Sequence, residues 1–182
     1  MLIGIQGGLG AGKTILLVKY LIGDFYKGYT IFSNFKLDNI EYNKLNVEAM
    51  LENEQREVNL TNATLGIDEL TVFADCRISA SKMNRWISYM VLQSRKRSVD
   101  LYYTTQNFSM IDKRVLNHTH IQVIAQSLYD NEGNIIPHFK KYSVIDMRDI
   151  SNIHIERFIL DIRPYYDFYD TDEIIMPPML NK

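Results

Sequence analysis

Gly7-Gly8-Leu9-Gly10-Ala11-Gly12-Lys13-Thr14 is the stretch that decides how this chain folds. It fits G-x-x-x-x-G-K-[ST], the pattern of a loop that wraps phosphate. Such a loop must bring backbone N–H groups close to the anion, and glycines at 7, 8, 10 and 12 remove the side chains that would block the approach. The residues before it, Leu2-Ile3-Gly4-Ile5, are a short apolar run that reads as a buried strand. The residues after it, Lys13 to Ile22, contain no Gly or Pro and read as a helix, with Gly23 and Gly28 allowing it to stop. A helix that starts at Lys13 adds its positive dipole end to the loop. Gly7, Gly8, Leu9, Gly10, Ala11, Gly12, Lys13, Thr14 and Ile15 are therefore the expected ATP-binding residues. Lys13 can reach the β- and γ-phosphates, and the Thr14 hydroxyl can hold Mg²⁺.

A second signal lies about 54 residues beyond Thr14, where Leu65-Gly66-Ile67 runs into Asp68-Glu69. An apolar strand that ends in two acids suits Mg²⁺ binding by Asp68 and polarisation of an attacking water by Glu69. Without the phosphate loop the same pair would read as a solvated strand end. A third strand, Val99 to Thr104, delivers Thr105 and Gln106 at its C-terminal edge, where ligands sit in open α/β sheets. Gln106 could sense the γ-phosphate or position water, or be a polar loop residue.

Strands alternating with helices predict a three-layer α/β fold, a P-loop NTPase with a mostly parallel central sheet. Tyr29 to Phe32 adds a strand, residues 36–60 suggest a peripheral helix, and a short helix is expected around Met110 to Leu116. From Ser81, Met83, Trp86, Ile87, Met90 and Val91 form one buried helical stripe that ends at Arg95-Lys96-Arg97. His120 to Ile124 begins another strand, the turn Asp130 to Asn134 predicts a β-hairpin near the C-terminal part, and Ile155 to Ile162 is a late strand. The 182 residues suit a single domain over 1–182. A net charge of −2 argues against bulk coating of nucleic acid, so any DNA contact must come from local patches such as Lys82, Arg85, Lys140, Lys141 and Arg148. The start lacks a basic segment and cleavage site of a secretory signal, and no run of eighteen apolar residues predicts a transmembrane segment. The single cysteine, Cys76, suits a reducing interior. His118 and His120 lack an evident third metal ligand.

Taken in order, GGLGAGKT, IFSNFKL, GIDEL, ADCR and QSRKRSVDLYYTTQNFSMIDKR resemble the FtsK–HerA group of P-loop translocases, and most of all its Zot-like and viral genome-packaging members. The likeness covers residues 1–125 well and the tail loosely, where YYDFYDTDEI resembles the end of archaeal viral members. It implies a RecA-like core, a homo-oligomeric ring (pentamer or hexamer), ATP-driven movement of double-stranded DNA, and a capsid or portal-vertex partner. It also implies an arginine supplied to the γ-phosphate by a neighbouring subunit, for which Arg77, Arg95 and Arg97 are candidates. Zot-like assembly proteins often carry a membrane segment after the ATPase core, and cellular translocases carry further domains. Their absence here favours a compact viral packaging motor, in the cytoplasm of the infected host cell or on the virion. A Zot-type assembly or export ATPase of a filamentous virus, a P-loop small-molecule kinase and a nucleotide-stabilised virion component stand as the alternatives.

Overall fold

β1 (Leu2–Gln6) is the short apolar run, and all but its last residue are buried. A strand buried on both faces needs a neighbour on each edge and a layer above and below. β5 (Val99–Thr105) and β6 (Ile121–Tyr129) flank β1, both parallel to it. The computed structural model describes residues 1–45, 61–72, 98–149 and 151–170. Its other strands are β2 (Thr30–Ser33), β3 (Asn43–Lys44), β4 (Ala63–Ile67), β7 (Ile135–Asp146) and β8 (His154–Asp161). They form one eight-stranded sheet in the order β3-β2-β4-β5-β1-β6-β7-β8. β1 to β6 are mutually parallel, and β7 and β8 extend the sheet as antiparallel strands.

The two faces carry separate cores. On one face α1 (Lys13–Phe25) packs Leu16, Leu17, Val18 and Leu21 against Ile3, Ile5, Tyr102, Val123 and Tyr142. A Cβ on Gly66 would fall 2.6 Å from Leu21 Cδ1, so only glycine lets α1 lie this close to β4. On the other face the 3₁₀ turn Phe108–Met110 and α2 (Lys113–Asn117) bring Phe108, Ile111 and Val115 onto Leu2, Leu65, Leu101 and Tyr103. These are the three layers and mostly parallel sheet of a P-loop NTPase.

Several expectations shift in detail. α1 passes through Gly23 and ends beyond it, before Gly28, which turns the chain at φ 87°. Helix packing overrides one glycine, which weakens a helix interior by only about 1 kcal/mol. In the described part of residues 36–60, β3 adds a short parallel edge strand whose register with Phe32 and Ser33 buries the following Leu45, and the rest of the stretch expected to carry a peripheral helix, residues 46–60, lies outside the described residues. The helix expected at 110–116 divides at Asp112, whose side chain accepts the Arg114 N–H at 2.9 Å and caps α2. The β6–β7 hairpin forms, with Asp130 accepting the N–H groups of Glu132 and Asn134. The helix from Ser81, with Lys82, Arg85 and its basic end, and Cys76 lie outside the described residues. No helix among the described residues is long and apolar enough to cross a membrane.

One buried carboxylate joins α1 to the sheet. Asp24 accepts from Tyr102 Oη at 2.6 Å, Thr64 Oγ1 at 3.1 Å and Lys27 Nζ at 2.9 Å. Tyr102→Phe keeps the ring and removes one donor to a buried charge. We expect a loss of about 1–3 kcal/mol in urea-unfolding stability.

Candidate nucleotide site

Parallel register brings three chain segments to one edge of the sheet. Gln6 is level with Thr105, and Ile67 with Tyr103, so the segments after β1, β4 and β5 emerge together. This is the C-terminal edge, where open α/β sheets hold their ligands.

The loop after β1 is built as its glycines require. Gly10 has φ 67°, and Gly12, the N-cap of α1, has φ 91°. A Cβ on Gly12 would lie 2.8 Å from both Lys140 Cγ and Tyr142 Oη. At Gly8 and Gly10 a Cβ would meet nothing within 4 Å, so both face open space. Leu9 points its side chain into solvent, 85% exposed, while Ala11, Lys13 and Ile15 are buried. The Gly7 N–H donates to Thr105 O at 3.3 Å, which ties the loop to β5. Lys13 Nζ donates to Gly8 O at 3.2 Å and lies 3.8 Å from Glu69 Oε1. The ammonium is thus held between its own loop and the acid after β4.

The acids after β4 stand beside the first turn of α1. Thr14 Oγ1 reaches both Asp68 carboxylate oxygens at 3.1 Å, and Thr104 Oγ1 donates to Asp68 Oδ1 at 2.5 Å. Asn34 fixes the backbone: its Nδ2 donates to Asp68 O at 3.0 Å and its Oδ1 accepts the Asp68 N–H at 2.8 Å. The Glu69 N–H donates to Thr104 Oγ1 at 2.8 Å, and Glu69 sits in the left-handed region at φ 49°. A non-glycine residue held there is strained and marks a site that surrounding contacts over-determine. Burial pushes the Asp68 carboxyl above its ordinary range, against the pull of Thr104, Thr14 and Lys13. Burial also raises Glu69, with Lys13 opposing it and Asp68 adding to it.

This donor set fits a hard divalent cation. Thr14 and Asp68 offer one hydroxyl and one carboxylate, oxygens only, and the buried carboxylate lacks full charge compensation. No three His, Cys, Asp or Glu side chains group to hold a metal among the described residues. Mg²⁺ suits such a site, because it keeps waters and phosphate oxygens in most of its shell.

Gln106 is exposed at the end of β5 and lines, with Gly7, Gly8, Gln126, Ser127 and Lys141, a cavity of about 760 Å³ beside the loop. Arg77, Arg95 and Arg97 lie outside the described residues. Among the expected DNA cations, Lys140 turns inward to the loop, Lys141 lines the cavity and Arg148 pairs with Asp146 at 2.5 Å. His120 Nδ1 accepts the Leu2 N–H at 3.0 Å, a structural use of the ring. Sequence reasoning missed Asn34 and Thr104 as individual site residues, although both stand in stretches that carried the family resemblance. It also missed Tyr142, for which no local signal exists.

No family model matches the sequence, and no curated protein matches it. Solved structures do match in fold. The N-terminal domain of zonular occludens toxin from Neisseria meningitidis superposes with a TM-score of 0.65 at 16% identity, over 93% of this chain and 98% of that one. The genome packaging NTPase B204 of Sulfolobus turreted icosahedral virus 2, bound to ATPγS, superposes with a TM-score of 0.56 at 11% identity, over 87% of this chain and 98% of that one. Its sulfate complex gives 0.58 at 14% identity, over 88% and 97%. At these identities the shared property is the fold, a P-loop NTPase sheet.

Proposed function

We propose that this chain is an ATPase that drives double-stranded viral DNA into a preformed capsid. The observation that carries the ATPase reading is the convergence of Lys13, Thr14, Asp68 and Glu69 at one sheet edge, above a loop open at Gly8 and Gly10. ATP would lay its phosphates along residues 7–15. Lys13 would exchange its Gly8 carbonyl partner for phosphate oxygens. Thr14 and Asp68 would hold Mg²⁺, which when bound neutralises charge on the phosphates. Glu69 would accept a proton from water as the water oxygen bonds the γ-phosphorus and the bond to ADP breaks. Gln106 would position that water or report the γ-phosphate. Arg77 or Arg97 would reach the γ-phosphate of a neighbouring subunit, so turnover would need a ring of five or six copies. The chain would work as one domain in the infected cell or on the virion, docked on a capsid or portal-vertex protein.

The DNA-packaging part draws support from the fold shared with B204, itself a genome packaging NTPase. The Zot-domain likeness supports a second reading, an assembly or export ATPase of a filamentous virus. Phosphate release from Mg-ATP, followed across protein concentration with and without double-stranded DNA, separates them. A packaging motor is expected to turn over faster as each is raised. Turnover that rises with concentration and ignores DNA would favour the Zot-type reading. Turnover indifferent to both, with phosphate passed to an added nucleoside, would establish a kinase instead.

A further inference from the structure

We infer that Lys140 and Tyr142, on the antiparallel extension of the sheet, are positioning residues that hold the phosphate loop in its binding shape. The inference rests on the nucleotide-site reading above. The hairpin containing β7 is remote in sequence from the loop, yet two of its side chains cross to the α1 face and bond loop carbonyls. Lys140 Nζ donates to Gly10 O at 2.8 Å, steadied by Ser127 Oγ at 3.4 Å. Tyr142 Oη donates to Gly12 O at 2.9 Å. That carbonyl also accepts the Leu16 N–H at 3.2 Å, so the Gly12–Lys13 peptide is held from two sides.

The consequence follows from the peptide plane. A trans peptide points its N–H opposite to its C=O. Anchoring the Gly12 carbonyl toward β7 and the helix therefore aims the Lys13 N–H out of the α1 N-terminus, where an anion is favoured. The Lys140 bond restrains the arch at Gly10, one of the two glycines of the loop that face open space. Tyr142 is itself immobilised: it is fully buried and stacks on Phe158 of β8 with centroids 5.2 Å apart. Burial raises its hydroxyl far above the ordinary tyrosine range, so it stays a donor throughout the neutral range. The loop thus braces against β6, β7 and β8 rather than against α1 alone. Linkage makes this reciprocal: whatever loads the extension alters nucleotide affinity, and nucleotide stiffens the extension.

The test measures Mg-ATPγS affinity by titration calorimetry for wild type, Lys140→Met, Lys140→Arg, Tyr142→Phe and, as a control on the opposite face of the sheet, Lys113→Met in α2, with ligand-free melting of each. We expect about five- to tenfold weaker binding for Lys140→Met and for Tyr142→Phe, the size of one lost hydrogen bond to a charged or main-chain partner. Recovery is expected in Lys140→Arg, wild-type affinity in Lys113→Met, and no matching loss in melting temperature. Wild-type affinity in both Lys140→Met and Tyr142→Phe overturns the inference while leaving the nucleotide site intact. Weakened binding that Lys140→Arg fails to restore, or that tracks a fall in melting temperature, also overturns it. Absence of binding by wild type overturns it together with the nucleotide-site reading.

Discussion

Glu69→Gln is expected to lower ATP turnover by about 10²–10⁴-fold, the usual worth of a positioned general base, while nucleotide binding survives. The side chain keeps its shape, and Lys13, Thr14 and Asp68 are untouched. The remaining amide still lies beside Lys13 but cannot accept the proton of an attacking water. The same residue is expected to set the acid limb of the pH profile. Burial raises the Glu69 carboxyl, so its ionised form is lost as pH falls through a value above the ordinary carboxylate range. Wild-type kcat should accordingly begin to fall at a higher pH than an exposed glutamate would impose. Steady-state kinetics from pH 4 to 8 would read both effects. A variant with wild-type kcat removes Glu69 from the chemistry.

Gly12→Val is expected to abolish nucleotide binding, with affinity weakened at least a hundredfold. Two independent faults coincide at this position. The backbone has φ 91°, where a β-branched residue is a strong outlier, and the new Cβ would lie 2.8 Å from Tyr142 Oη and Lys140 Cγ. Lys140 can swing aside, but Tyr142 is packed in place, so the loop must move instead. The backbone strain alone is worth about 1–2 kcal/mol, equivalent to roughly 2–8 °C in melting temperature for a chain of this size. Calorimetric titration and thermal unfolding of the same preparation would check both. Full affinity in the variant would mean that residues 7–15 do not cradle the phosphates.

What could be read from the sequence was local or periodic. The phosphate loop is legible because its chemistry needs glycines at fixed spacing before a helix start. Asp68 and Glu69 are legible because an apolar strand ends abruptly in acids. The strands β1, β2, β4, β5 and β6 follow from short β-branched runs bounded by turn residues. The partners that hold the site are less legible, because topology alone brings them near. Thr104 reaches Asp68 only because β5 lies beside β4, and Asn34 only because β2 lies on the other side. Both belong to stretches that resemble the translocase family, so a polar residue at a strand's C-terminal end was the available signal. Tyr142 gave no such signal, since alternation along β7 marks it as a core aromatic and says nothing about its hydroxyl. Lys140 read as an outward cation because a hairpin lysine usually is one; the neighbouring loop carbonyl draws it in. The edge strand β3 escaped notice because two residues are too few to show a period.

The central claim is that the loop at residues 7–15 binds ATP for hydrolysis by the acids after β4. Phosphate release from Mg-ATP by wild type and by Lys13→Ala, at equal protein concentration and with double-stranded DNA present, tests it most directly. The account predicts release by wild type that rises with protein concentration, and background release by Lys13→Ala. Equal release by the two proteins, or no release by wild type at any concentration, would contradict it.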